Sequence, residues 1–418
     1  MNSTMRVAIT ARSVFPIHGP GGLERSVYDL SRHLASRGVE VTLITRTPEA
    51  PVSGDAVHTD VRLAFVPYRT FPFAGGRGTT VIDRSTAYPL FGYRAGALAA
   101  AMVSRGDIDI VHGFGASVLG YARQRVALGA PLVLNPQGLE EFGATDPSRA
   151  RLKRAAYLPL RRAVIACARR ADAVIATDRA LEPAVRQHLG VPDTKIFTIP
   201  NALDLAEVDS LAGPGGGQRA REQHGIGADE MVLLSVGRLE ENKGFHVLAP
   251  ALAALREHSG RLAHGRWRWV IVGDGPFRPR LESLVTELRL TENVLFVGRA
   301  PDHDLHRCYE AADLFVHPTL YEGSSLVTLE AMAHRLACVV TDAGGLPDKV
   351  SNGINGWIVP TGDPAALAAA ISGALEDRGR LTQMGAAGRA IVERQFSWTS
   401  AVQQTIRLYE RLLSRGQR

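Results

Sequence analysis

Cysteine is scarce: three in 418 residues. Cys167, Cys308 and Cys338 lie far apart and are odd in number, so they offer no metal-ligand spacing and no disulfide framework; a reducing cytosol is the simple expectation. No run of eighteen apolar residues occurs, which excludes a spanning helix of the usual kind. The most apolar helical stretch, 88–103, is interrupted by Arg94 and followed by Arg105. The opening MNSTMRVAITARSVFP has no long apolar core before its arginines, so no signal peptide is expected. Nor is there a nucleic-acid-binding motif to accompany the excess of cations, and nucleic acid is discounted as a partner. A net charge of +6 and a pI near 9.4 therefore favour other anions: nucleotide phosphates or an anionic lipid surface.

What is present is ordinary for a soluble α/β chain. Apolar residues make up 45% and charged residues 22%, and 42 glycines suit many tight strand–helix turns. The length predicts two or three domains. The chain opens β-α-β: Met5–Thr10, a glycine-rich loop ending Gly19-Pro20-Gly21-Gly22, a helix with Val27, Leu30 and Leu34 on one face, then Val39–Ile44. That start predicts a parallel, doubly wound sheet. Gly21 and Gly22 at a helix N-terminus can meet a diphosphate. Residues 46–90 read as irregular loops. His112 closes the strand pattern 107–112, and strand C-termini are where open α/β sheets bind ligands, so it is either a cleft residue or a packed one.

The densest pattern is 313–349. A short strand, Leu314-Phe315-Val316, turns through His317–Tyr321 to Glu322; Gly323-Ser324-Ser325 forms a small-residue corner; a helix opens at Leu326 and carries Glu330; a further strand ends at Gly344-Gly345. A strand, a small-residue turn and a helix N-terminus make an anion site, because first-turn N–H groups and the dipole point at the anion. Glu322 precedes the turn and Glu330 lies inside the helix, so the two carboxylates suit opposite ends of a polyol–diphosphate–ribose ligand. Upstream, Gly237-Arg238…Lys243-Gly244 sets two cations on a loop after a strand, the natural partners of a diphosphate.

These residues resemble the signature of the family-four retaining glycosyltransferases, which have the GT-B fold. The resemblance rests on Glu322…Glu330-Ala331 followed by Gly344-Gly345, on Gly237-Arg238…Lys243-Gly244, on Gly273-Asp274-Gly275, on Gly21-Gly22-Leu23-Glu24, on Pro200-Asn201-Ala202-Leu203-Asp204 and on Asn352-Gly353…Gly356 with Asp363. It implies two Rossmann-like domains facing a cleft: 1–205 for the acceptor, 230–398 for a nucleotide sugar, a linker region at 206–229, and a C-terminal helix, 399–418, crossing back to the first domain. It further implies Glu322 at the donor sugar, Glu330 on the ribose, Gly298-Arg299 at the base, and Gly273, Asp274, Gly323, Ser324, Ser325 and Leu326 around the donor. Arg238 and Lys243 would take a metal's electrostatic place, with no metal or other cofactor required, and His112 would lie near the donor sugar. Two positions depart from the pattern: Phe114, where a second histidine is frequent, and Gln137, where a basic residue or histidine is frequent.

The expectation is sugar transfer to a glycan, a lipid-linked or a small hydroxylated acceptor. A sugar-nucleotide epimerase of the same fold and a non-catalytic nucleotide-sugar-binding protein are the alternatives, since fold alone excludes neither. The stretch 148–170 holds eight Lys/Arg and no acid. It reads as a basic amphipathic helix, either a solvated face, a holder for a phosphorylated acceptor, or a rest on an anionic inner membrane surface.

Overall fold

The computed structural model describes residues 4–19, 21–49, 59–69, 79–137, 139, 142, 156–258 and 267–416. The chain divides into two compact units, Met1–Asn201 with Trp398–Arg418, and Ala202–Ser397. Each is built on one parallel sheet flanked by helices.

In the first unit the strands are β1 (Arg6–Thr10), β2 (Glu40–Arg46), β3 (Val61–Val66), β4 (Ile110–Phe114), β5 (Leu132–Asn135), β6 (Ala173–Ala176) and β7 (Ile196–Thr198), in the order β3-β2-β1-β4-β5-β6-β7. Central strands of such a sheet are covered on both faces, which is why β4 and β6 are buried at every position. The order reverses between β1 and β4, and Ile9 pairs with His112 across that seam. In a doubly wound sheet this switch point leaves a crevice beyond the strand ends.

Residues 46–90 are not all irregular. Val61–Val66 forms edge strand β3, pairing with β2, and a helix runs Thr79–Ser104. The edge position explains the weak strand signal: Arg62 and Phe65 face outward, so apolar alternation is diluted. The helix absorbs Pro89 and two glycines because it lies hard against the helix Leu119–Leu128. The expected basic helix is described from residue 156 onward, as Leu158–Arg170; its 148–155 portion lies outside the described residues. Its buried stripe is Leu160, Ala163, Val164, Cys167 and Ala168. The C-terminal helix Trp398–Gly416 packs on the helix Gly22–Ala35, Trp398 stacking on His33 with ring centres 5.8 Å apart.

The second unit holds β8 (Met231–Val236), β9 (Trp267–Val272), β10 (Val294–Gly298), β11 (Leu314–His317), β12 (Ala337–Thr341) and β13 (Gly356–Val359), ordered β10-β9-β8-β11-β12-β13. Its switch point falls between β8 and β11. Two polar side chains inside the sheet are satisfied in a relay: buried Trp269 donates to Ser235 Oγ at 3.0 Å, and that hydroxyl donates to Val316 O at 2.7 Å. The stretch 206–229, expected as a linker, is instead part of this unit. It folds as helices Leu205–Ala212 and Gly216–Gln223 against the helix Asp302–Ala311. Arg221 explains the difference: its guanidinium donates to the carbonyls of Ala311, Gly227 and Glu230 and pairs with Asp313 at 3.0 Å. The glycines there separate two helices rather than dissolve them. Among the described residues no helix is long and apolar enough to cross a membrane.

The close approach of Thr79–Ser104 to Leu119–Leu128 needs bare backbone. A Cβ on Gly120 would stand 2.0 Å from the carbonyl oxygen of Tyr93. Gly120→Ala is therefore expected to cost roughly 1–3 kcal/mol of unfolding free energy through overpacking, measured by urea denaturation; an unchanged midpoint would show that the two helices separate freely.

Candidate functional site

The site grows from the switch point of the second sheet. β8 runs into Gly237, and the chain turns through Arg238 to a single 3-10 turn, Glu241–Lys243. β11, the neighbouring strand, ends in His317, and its loop reaches Glu322 five residues on. Backbone ties hold the two loops together: Leu320 N donates to Asn242 O at 2.8 Å, and Thr319 Oγ1 donates to the same carbonyl at 3.1 Å.

This arrangement brings three ionisable groups to one point. Lys243 Nζ donates to Glu322 Oε2 at 2.8 Å, and His317 Nε2 shares a hydrogen bond with that same oxygen at 2.8 Å. Gly323 N donates to the other oxygen, Oε1, at 3.2 Å. The Glu322 side chain is 12% exposed and that of His317 is 0% exposed. Burial pushes the carboxyl up, but the His317 and Lys243 contacts outweigh it and bring Glu322 down to about 2. The second ring nitrogen of His317, Nδ1, is buried with no hydrogen-bond partner among the described residues.

After Glu322 comes the corner. Ser325 caps the helix Leu326–Ala333, its Oγ accepting from Thr328 N at 3.4 Å. Leu326 opens the first turn, and Ser324 Oγ is buried beside it without a hydrogen-bond partner among the described residues. The Gly344-Gly345 loop closes over the corner, with Gly345 N donating to Gly323 O at 3.3 Å. Gly344 is left-handed (φ +52°), and a Cβ there would lie 1.8 Å from Glu322 O, so only glycine lets this loop sit on the carboxylate's backbone. Glu330, inside the helix, points at the helix Asp302–Ala311, where its Oε2 accepts from Tyr309 OH at 2.8 Å.

The remaining residues of the second unit lie at neighbouring strand ends. Gly273 N donates to Gly298 O at 2.8 Å, joining the ends of β9 and β10, and Asp274 accepts from Gly275 N. Gly298 closes β10 at a register irregularity, and Arg299 is exposed. Arg238 does not join Glu322; its side chain is 67% exposed and pairs with Glu240 at 3.2 Å. Thus the structure clusters Lys243, Glu322, Gly323, Ser324, Ser325 and Leu326, and leaves Arg238 reaching outward. Among the described residues no group of three or more His, Cys, Asp or Glu could hold a metal ion.

Three candidates belong to the first unit. Gly21 and Gly22 start the helix Gly22–Ala35, as N-cap and first residue. His112 is 1% exposed, stacks on Phe114 at 5.0 Å, and shares a 2.6 Å hydrogen bond through Nδ1 with Tyr409 OH. Burial drives it down to about 3, so it is a neutral, enclosed imidazole. The two departures from the family pattern, Phe114 and Gln137, line one small pocket with Arg12, Glu24, Arg84 and Tyr88. Gln137 is left-handed (φ 65°), and its Nε2 is buried with no hydrogen-bond partner among the described residues.

Sequence reasoning missed His317 as a site residue. The signal was available: it closes a strand pattern, as His112 closes the pattern 107–112, although in the structure β4 runs two residues past His112 to Phe114 whereas β11 does end at His317. Tyr309 carried no such signal, because its link to Glu330 spans 21 positions and two helices.

Residues 20–207 match the family model described as Glycosyltransferase Family 4, and residues 217–391 the one described as glycosyl transferases group 1. A D-inositol 3-phosphate glycosyltransferase of Acidothermus cellulolyticus is 30% identical over 439 residues, covering 98% of this chain and 91% of that one. A glycosyltransferase of Methanocaldococcus jannaschii is 30% identical over 239 residues, so that alignment spans 57% of this chain and 59% of the relative. Among solved structures, Anabaena HepE, in complex with UDP and glucose, superposes with a TM-score of 0.70 at 22% identity, covering 97% of this chain and 99% of that one.

The lowered Glu322 fixes a sign for stability. A carboxyl depressed from 4.5 to about 2 contributes stability that is complete above about pH 4.5 and lost as pH falls through 2. The stability gap between wild type and Glu322→Gln is thus expected to be constant from pH 7 to 5 and to narrow from pH 4.5 downward. Urea titrations of both proteins across pH 3–7 check this; a gap that widens on acidification would contradict the ion cluster.

Proposed function

The chain belongs to the group 1 glycosyltransferases, and we propose that it moves a sugar from a nucleotide-diphosphate sugar to an acceptor hydroxyl with retention at the anomeric carbon. The observation that carries this reading is the convergence of Lys243 and His317 on Glu322 beside the N-terminus of Leu326–Ala333.

In this reading the diphosphate docks on the first-turn N–H groups after Ser325, where the helix dipole favours negative charge. Ser324 Oγ, buried and without a partner among the described residues, is a further donor to a phosphate oxygen. Lys243 supplies a point charge that grows in worth as the nucleotide leaves, and outward-reaching Arg238 adds a planar fork. Glu322, held ionised, accepts hydrogen bonds from sugar hydroxyls, while Glu330 takes the ribose and the backbone at Gly298-Arg299 meets the base. Gly273 and Asp274 border the same loops. The bond from the anomeric carbon to the phosphate oxygen breaks; the acceptor oxygen bonds to that carbon on the same face; the acceptor proton passes to the departing phosphate oxygen. The charge at the diphosphate is met by Lys243, Arg238 and the helix, so the reaction is proposed to need no metal.

The UDP seen in HepE supports a nucleotide donor, and the relative named for D-inositol 3-phosphate supports a hydroxylated, phosphate-bearing acceptor as one option. Glycan and lipid-linked acceptors are the others. We assign acceptor binding to the first unit, through the Gly21-Gly22 helix start and the pocket of Arg12, Phe114 and Gln137. His112, enclosed and neutral, shapes this wall rather than exchanging protons. The exposed arginines of Leu158–Arg170 are compatible with peripheral contact to an anionic membrane face.

Lys243→Ala is expected to lower kcat by on the order of 100-fold, the scale of losing one preorganised charge stabiliser; an unchanged rate in the folded variant would remove Lys243 from the mechanism. Turnover is expected to survive EDTA, and NMR of the first-formed product should show the donor's own anomeric configuration. Inversion, or nucleotide-sugar isomerisation without acceptor, would overturn the proposed reaction.

A further inference from the structure

The helix Asp302–Ala311 supplies none of the loops that form the donor site, yet it reaches into it. Tyr309, on its last turn, is completely buried, and its OH donates to Glu330 Oε2 at 2.8 Å, with Val327 O at 3.2 Å. The ring is clamped on several sides. His334 lies parallel to it, ring centres 5.5 Å apart and planes within 6°, and Phe315 leans on it at 6.0 Å. His334 in turn shares a 2.7 Å hydrogen bond through Nε2 with His306 Nδ1. Just before His334, the carbonyl of Ala333 accepts from Arg389, which also forks onto Asp209 at 2.6 and 2.8 Å. Burial, aided by the neighbouring carboxylate, pushes the phenol well above its usual value of 10, so the hydroxyl keeps its proton and remains a donor.

We propose that Tyr309 is a positioning residue for nucleotide recognition: its clamped phenol holds the Glu330 carboxylate in the orientation that receives the ribose hydroxyls. The physical reason is entropic and geometric. A glutamate on a helix surface samples several rotamers, and each immobilised side chain costs binding about 0.5–1.5 kcal/mol, or roughly 2- to 12-fold in affinity. A rigid hydroxyl on a second helix removes that cost before the ligand arrives. A carboxylate offers about four acceptor positions, so one bond to Tyr309 leaves capacity for a diol. This inference rests on the proposed role of Glu330 at the ribose.

The test uses the full chain and isothermal titration with UDP, GDP and ADP, followed by the 2′,3′-dideoxy form of whichever binds tightest. Tyr309→Phe is expected to weaken the nucleotide about 3- to 10-fold, to leave the dideoxy form unaffected, and to add nothing to Glu330→Ala. With saturating donor its kcat stays at the wild-type value while KM rises. Tyr309→Met, apolar and similarly long, is read in the same way if the phenylalanine variant does not fold. Equal losses for the nucleotide and its dideoxy form would mean a merely structural role and would overturn the inference. So would unaltered binding in Tyr309→Phe when Glu330→Ala binds weakly, an outcome that leaves the donor reading standing. Binding indifferent to Glu330→Ala, or absent in the wild type for all three nucleotides, would overturn the ribose assignment and this inference with it.

Discussion

A carboxylate kept ionised where water scarcely reaches it is the constraint on which the second unit turns. Removing Glu322 from water is unfavourable on its own, and only well-placed donors reverse the sign. Here Lys243, His317 and the Gly323 amide provide them. Those groups come from two different loops, so the carboxylate also couples the ends of β8 and β11. The Asn242 carbonyl, receiving Leu320 and Thr319, and the bare Gly344 close the same knot from other sides. Chemistry and loop structure are therefore one arrangement: the groups that hold Glu322 charged are the ones the proposed reaction assigns to a diphosphate sugar.

Both units solve the same architectural problem and use the solution differently. Each sheet reverses its strand order once, which opens a crevice past the strand ends without any specialised loop. In the second unit the histidine at that seam, His317, feeds a charged cluster. In the first, His112 is sealed between Phe114 and Tyr409 and stays neutral. The C-terminal helix, returning to the first unit, supplies Tyr409 and so participates in sealing it. Both imidazoles stack on a phenyl ring, Phe114 for His112 and Phe315 for His317; what separates them is the hydrogen-bond partner, a phenol in the first unit and a carboxylate in the second.

Much of this was legible before any coordinates. Alternating strand and helix patterns gave a parallel sheet, and the run from Leu314 to Gly345 placed a strand, a capped helix and a closing loop in their observed order. The 46–90 region was misread because an edge strand shows only half an apolar pattern and because Pro89 usually argues against a helix interior. The 206–229 stretch was misread because its glycines speak locally, whereas Arg221 reaches the Ala311 carbonyl and the Asp313 carboxylate far along the chain.

The sequence by itself determined the family, the alternation of strand and helix outside 46–90 and 206–229, and the residue types proposed to meet a phosphorylated sugar, because turn chemistry, helix capping and apolar period are local properties of the chain. Tertiary structure alone decided which of those residues touch. It put Lys243 on Glu322 but left Arg238 outside, added His317 to the cluster, and set Tyr309 behind Glu330. The Lys243 and Tyr309 pairings join positions 79 and 21 residues apart, and even the five-residue step from His317 to Glu322 depends on distances of a few tenths of an ångström, which no local pattern encodes.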